Sequence, residues 1–375
     1  MADTGNNRLY GLQMLRFFAA FSVLLGHVMH EALSFAFGGT ESPAIFAQNN
    51  FGAGVDVFFV ISGFIMFYIS DGKFGQPGAQ RAFLTRRLIR LVPLYWLFTL
   101  LMLLATVVLP AQLAHSQLNL GHVLASFLFI PWPDSTGLAH PVLGLGWTLN
   151  YEMFFYVVFS LALLLPQRLG LLAITGFFVG LTLINALVGP TQTQIAFWTD
   201  PIILEFLLGI GLAMLAKSRL QLSTPIAVLL LVTGIAGIAF APMLGLGGPY
   251  SRFIVAGIPA SLIVAAAVFG LRETPRGIAK ALVLGGDASY ALYLSHPFSI
   301  NVVVLAWAKL HLGSPWLFIA TAVVCAIAGA VVLHFAIERP LLGWLNARFT
   351  QRPGDAVRST REVARPRGVE PLSAP

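Results

Sequence analysis

Ten stretches of predominantly apolar residues, near 11–31, 52–70, 88–109, 147–165, 168–188, 199–216, 225–241, 252–270, 286–308 and 315–337, constrain this chain more than any other feature. Each approaches the twenty or so residues needed to cross the hydrocarbon core of a bilayer. Lipid offers the backbone no hydrogen-bond partners, so such stretches fold as helices. The expectation is an all-α, polytopic transmembrane helix bundle of about ten spans. The chain is 57% hydrophobic and 10% charged, whereas a soluble domain carries about a quarter charged residues. A further run, GHVLASFLFIPW at 121–132, is too short to cross and is expected to lie in the interface or to re-enter.

Lysine and arginine orient the bundle. With these spans, only Arg252 and Lys309 of the 22 basic residues fall on the side opposite the N-terminus. Basic residues stay in the cytoplasm, so both termini are expected there. The net charge of +7 is then a membrane-topology signal and not a nucleic-acid footprint. The first apolar segment lacks a small-residue cleavage site and reads as a retained helix. The single Cys325 lies in an apolar run and offers neither a disulfide nor a cysteine metal site. Residues 8–345 read as one membrane domain. Residues 346–375, ending in a polar, basic, proline-containing segment, read as a disordered cytoplasmic tail near anionic headgroups.

Ionisable residues inside spans are costly and mark function by default. Arg16 and His27 lie eleven residues apart in the first span. That is about three helical turns, so both occupy one face with a rise of roughly 16 Å between them. His27 sits toward the outer end. Asp56, in FGAGVDVFFVISGF, enters the second span from outside, and Glu152, in GWTLNYEMFFY, lies a turn and a half into the fourth. Asp200 and Glu205 have similar depths in the sixth. The expected map gathers an imidazole and four carboxylates in the outer third, with Arg16, Arg86, Arg87 and Arg90 at the inner edge. Asp56 also reads as a helix-start capping residue, and Asp200, before Pro201, as an N-cap. His296, before Pro297, reads as a packed residue that bonds a carbonyl freed by the proline. His115, His122 and His140 lie in an outer loop, with no spacing that assigns them a role.

Five blocks stand in order along the chain: Arg16 through His27, GVDVFFVISGF at 54–64, RLIR at 87–90 followed by PLYW at 93–96, GWTLNYEMFFY at 146–156, and SYALYLSHP at 289–297. In these blocks the chain resembles the acyltransferase 3 family of integral membrane acyltransferases, over roughly residues 8–345. The wording around Glu152 is most similar to members that O-acetylate exopolysaccharides. The resemblance implies an O-acetyltransferase of the bacterial cytoplasmic (inner) membrane, with acyl-CoA as co-substrate and neither bound cofactor nor metal. The acceptor would be a saccharide or glycolipid.

On this reading Arg16, Arg86, Arg87 and Arg90 bind the donor's phosphates through always-charged, bidentate contacts. His27 takes the proton of the acceptor hydroxyl, or forms an acyl intermediate. Glu152 orients His27, with Asp56 as second choice. Asn150, Tyr151 and Trp147 are candidates for the acceptor or oxyanion site. The rival reading is a transporter or flippase, which polar residues at mid-depth and ten helices would also suit.

Overall fold

The computed structural model of the chain describes residues 4–34, 50–108, 119–134, 136–218, 220–270 and 276–350, with side chains from Tyr10 onward. Every regular element among them is helical. In chain order these are α1 (Thr4–Ser34), α2 (Gly54–Ser70), α3 (Ala79–Val108), α4 (Leu120–Phe127), α5 (Trp147–Ala162), α6 (Gln167–Val188) and α7 (Thr193–Thr199). There follow α8 (Leu204–Ala216), α9 (Thr224–Phe240), α10 (Ile258–Gly270), α11 (Ile278–Asp287), α12 (Ser289–Leu310), α13 (Pro315–Leu333) and α14 (Arg339–Phe349).

Among the described residues nine helical segments are long and apolar enough to span a bilayer. The remaining expected span is α5, whose 16 residues reach only about 24 Å at 1.5 Å per residue. Its shortness has a local cause. The segment before it folds back into the bundle: Tyr95 Oη donates to the Ser126 carbonyl at 3.0 Å and Trp96 Nε1 to the Phe127 carbonyl at 3.0 Å. Leu143 and Leu145 are buried, and Gly146 lies so close to the Tyr95 ring that a Cβ there would meet it at 2.7 Å. The 121–132 run therefore folds back against α3, and α5 starts inside the bundle. Thr148, in its first turn, meets Tyr293, in the first turn and a half of α12, at 2.8 Å.

Helix α3 begins at Ala79, nine residues before the expected span. Arg81, Arg86, Arg87 and Arg90 therefore ride on a helix, and Arg87 and Arg90, three apart, share a face. Lys73, in the turn before α3, is held below its ordinary ammonium range by partial desolvation and by the nearby Arg86 and Arg87. Positive charge is crowded here.

Two backbone contacts fix the site's walls. Helices α2 and α8 run parallel and touch at Gly63 and Gly209: a Cβ on Gly63 would lie 2.0 Å from the Phe206 oxygen, and one on Gly209 would lie 2.0 Å from the Val60 oxygen. Small residues let helices in lipid approach this closely. Helix α1 meets α11 in the same manner, with Gly286 against the Gln13 carbonyl. Farther along, Ala20, Leu24 and Val28 of α1 share a buried apolar cluster with Leu292, Ile300 and Val303 of α12. This packing lays α1 and α12 side by side over the stretch that carries His27 and His296.

Pro340 does not end the last helix. After a π turn at His334–Glu338, α14 continues to Phe349, beyond the expected start of the tail at 346. Residues 351–375 of that tail lie outside the described residues.

Candidate active site

A cavity of about 180 Å³ opens between α1, α2, α3, α5 and α12. At one end Arg16, Arg87 and Arg90 converge on it, together with Glu152, Tyr156 and Ser62; at the other end lie Phe58, Thr148 and Tyr293. Arg86, expected alongside the other arginines, is exposed and does not line the cavity. Arg16 Nη1 donates to Gln13 Oε1 at 3.0 Å, and Gln13 in turn bonds Asp287 of α11. The Arg87 guanidinium stands over the Phe83 ring at 5.9 Å, and its buried Nε has no hydrogen-bond partner among the described residues. Three guanidinium groups thus line the cavity with one carboxylate, Glu152, while Glu338 and Asp287 act on Arg16 from outside the lining, and the buried Arg87 Nε is left as an unused donor.

Glu152 occupies a different place from the one its sequence position suggested. Its Oε1 accepts from Ser62 Oγ at 3.2 Å and from Tyr156 Oη, inside the arginine chamber. No hydrogen bond joins it to His27. The physical reason is the deep start of α5: a residue a turn and a half along this helix is already level with the arginines. Asp56 is also engaged elsewhere. It is completely buried, and Arg252 clamps it with Nε at 3.0 Å and Nη2 at 2.9 Å. Asp56 does lie in the first turn of α2, as its place at the helix start suggested, where a carboxylate complements the helix dipole; the N-cap residue itself, Ala53, has no side-chain cap.

His27 is exposed and lies beyond the cavity, one ring past Tyr293. Its neighbour is His296, completely buried on α12, with ring centroids 5.1 Å apart and His296 Nε2 3.3 Å from His27 Nδ1. Each ring also sets Nδ1 3.0 Å from the carbonyl four residues earlier, Val23 for His27 and Leu292 for His296. Tyr293 connects this pair to the cavity: its ring is 6.1 Å from that of His296 and 6.2 Å from that of Phe58.

Around Asp56, a second cavity of about 280 Å³ is lined by Asn50, Asp56, Ser251 and Arg252 among others. The Arg252 guanidinium stands 5.4 Å over the half-buried Trp147 ring. Glu205 is completely buried nearby, with Asp56, Asp200 and Arg252 as its charged neighbours. Asp200 caps the turn before α8, accepting from Ile202 N at 2.8 Å, as its place before Pro201 suggested. Tyr151 is buried and stacked on Phe197 at 3.8 Å, and Asn150 is buried with neither amide atom hydrogen-bonded among the described residues. Neither lines the two cavities described here. His122 and His140 brace the segment that folds back before α5: His122 Nε2 reaches the His140 carbonyl at 2.9 Å, and His140 Nδ1 reaches Asp134 at 3.2 Å. His115 lies outside the described residues.

Sequence reasoning named His296 but not its contact with His27. The available signal was that both are ionisable residues within spans, where a partner is nearly obligatory.

The chain matches the acyltransferase domain of the acyltransferase 3 family over residues 9–335. It is 37% identical over 303 residues to the exopolysaccharide production protein ExoZ of Rhizobium meliloti (strain 1021), covering 79% of this chain and 91% of that one. It is 25% identical over 370 residues to YrhL of Bacillus subtilis (strain 168), provisionally named a peptidoglycan O-acetyltransferase, covering 88% of this chain and 54% of that longer protein. No solved structure matches the chain.

Proposed function

The chain belongs to the acyltransferase 3 family of membrane acyltransferases, and from that premise we propose that it moves an acyl group, acetyl by default, from acyl-CoA to a sugar hydroxyl of an exported polysaccharide or glycolipid. The observation that carries this reading is the convergence of Arg16, Arg87 and Arg90 on one cavity whose far wall, Tyr293, is separated from His27 by the single ring of His296. A polyanionic nucleotide suits the guanidinium end. A neutral pantetheine arm suits the Phe58 and Tyr293 end. Glu152 offsets part of the positive charge and holds Tyr156 and Ser62 in the wall.

The basic end of the bundle is the cytoplasmic end on this reading. Donor enters there, and acceptor enters from the opposite side. The cavity lined by Asn50, Asp56, Ser251 and Arg252 offers a saccharide amide, carboxylate, hydroxyl and guanidinium groups. ExoZ, a relative named for exopolysaccharide production, supports a polysaccharide acceptor.

In the reaction, His27 Nε2 takes the proton of the acceptor hydroxyl as its oxygen attacks the thioester carbonyl. The C–O bond forms, the C–S bond breaks, and CoA leaves as thiolate with the electron pair. The imidazolium then returns its proton to that thiolate. No acid is needed at the leaving group, because a thiolate departs readily.

The test is purified protein in liposomes with radiolabelled acetyl-CoA and the host's crude lipid-linked glycans. Label moving to glycan with equimolar CoA release is the expected result. Folded protein that moves no label and releases no CoA would overturn the reading and leave the transporter. In the same assay Arg87→Ala is expected to raise KM for acyl-CoA by about tenfold or more with kcat little changed, since a charge-assisted contact contributes about 1.5–3 kcal/mol.

A further inference from the structure

We propose that His296 is a positioning residue for His27: its Nε2 lone pair accepts the His27 Nδ1–H and so fixes the imidazole with Nε2 bare for the acceptor hydroxyl. This inference rests on His27 being the base.

Proton bookkeeping on the two rings leads there. A carbonyl oxygen only accepts, so each Nδ1 that sits 3.0 Å from a carbonyl carries the proton, to Val23 in one ring and to Leu292 in the other. A neutral imidazole has one N–H. His296 Nε2 is therefore bare, and it faces His27 Nδ1 at 3.3 Å. The His27 Nδ1–H is shared between the Val23 oxygen and His296 Nε2, and the remaining His27 nitrogen, Nε2, is an unprotonated base. A charged His296 would set N–H against N–H across the same gap. The complete burial of His296 in apolar surroundings also disfavours that form.

The placement is rigid. Leu292 and Ile300, on either side of His296, are buried against Ala20, Leu24 and Val28 of α1. In hydrolytic triads a carboxylate holds the tautomer of the base. Here both candidate carboxylates are committed: Glu152 to Ser62 and Tyr156, and Asp56 to Arg252. A neutral imidazole performs the orientation without placing a further charge in the middle of the bundle. When His27 takes the acceptor proton, its Nδ1–H remains bonded to the same two acceptors, and the ring does not turn.

The experiment compares His296→Phe, His296→Asn and His296→Gln with wild type and His27→Ala in the liposome assay. Each variant is first checked for monodispersity and melting temperature in detergent. The glutamine amide oxygen reaches the His27 Nδ1–H, whereas asparagine is too short and phenylalanine has no acceptor. Expected are losses in kcat of about 10- to 100-fold for Phe and Asn, the scale of a small misplacement of a catalytic group, with KM for acyl-CoA unchanged and most of kcat restored by Gln. Wild-type kcat in folded His296→Asn or His296→Phe would overturn the proposal. So would a folded His296→Gln no faster than His296→Asn, or a loss confined to KM. If His27→Ala keeps wild-type turnover, the base reading itself fails, an outcome distinct from an active His296→Asn beside an inactive His27→Ala.

Discussion

Replacing His27 by alanine is expected to lower kcat for acyl transfer by about 10²- to 10⁴-fold, the range that a positioned general base contributes. KM for acyl-CoA should change by less than about twofold, because binding made equally in ground and transition states is untouched. The split follows from geometry. His27 is absent from the lining of the cavity that gathers Arg16, Arg87 and Arg90, so the donor keeps its contacts when the imidazole is lost. His27→Gln is the sharper variant, since it keeps a polar side chain of similar reach but has no basic nitrogen. Initial rates over a range of acyl-CoA concentrations measure both constants. A fall in kcat/KM carried by KM alone would move His27 from chemistry to donor binding. Label retained on wild-type protein when acceptor is omitted, and absent from His27→Ala, would identify the acyl-His27 route. Direct transfer leaves the protein unlabelled.

Which parts of this arrangement the sequence could disclose follows from the range of the forces involved. The apolar runs, the arginines before Pro93 and the common face of Arg16 and His27 are all local properties of one helix, and periodicity alone expresses them. The N-cap at Asp200 is local as well. The partners of Glu152 and Asp56 are not. Asp56 pairs with a residue 196 positions away, and only the packing of α10 and its leading turn against α2 brings Arg252 there.

Glu152 departs from its expected depth for another reason. A depth read along α5 holds only for a helix that starts at the membrane surface. The buried Tyr95–Ser126 bond and the close approach of Gly146 to Tyr95 pull that start inward. The same two contacts turn α5 from a full span into a 16-residue helix. A single local event therefore accounts both for the missing span and for the carboxylate found among arginines.

The second large effect concerns the frame and not the chemistry. Gly63→Ala is expected to destabilise the folded protein by about 3 kcal/mol or more, the upper end of overpacking costs. A Cβ at that position would stand 2.0 Å from the Phe206 oxygen and 2.8 Å from its carbonyl carbon, and these are backbone atoms that no rotamer change can move aside. The helices would have to separate along their shared length, from the Val60–Gly209 contact toward the Lys217–Asp71 ion pair. Helix α2 also carries Ser62, one of the two donors to Glu152, and Asp56, so the cavity wall would move with it.

Gly211→Ala supplies the control on α8, the helix that carries Gly209. Nothing lies within 4 Å of a Cβ there, and alanine is favoured over glycine in a helix interior by about 1 kcal/mol. Melting temperatures in detergent should therefore drop for Gly63→Ala and Gly209→Ala but hold or rise for Gly211→Ala. Equal melting of all three would mean that α2 and α8 do not make this backbone contact. A drop for all three would assign the effect to glycine as such and not to the crossing.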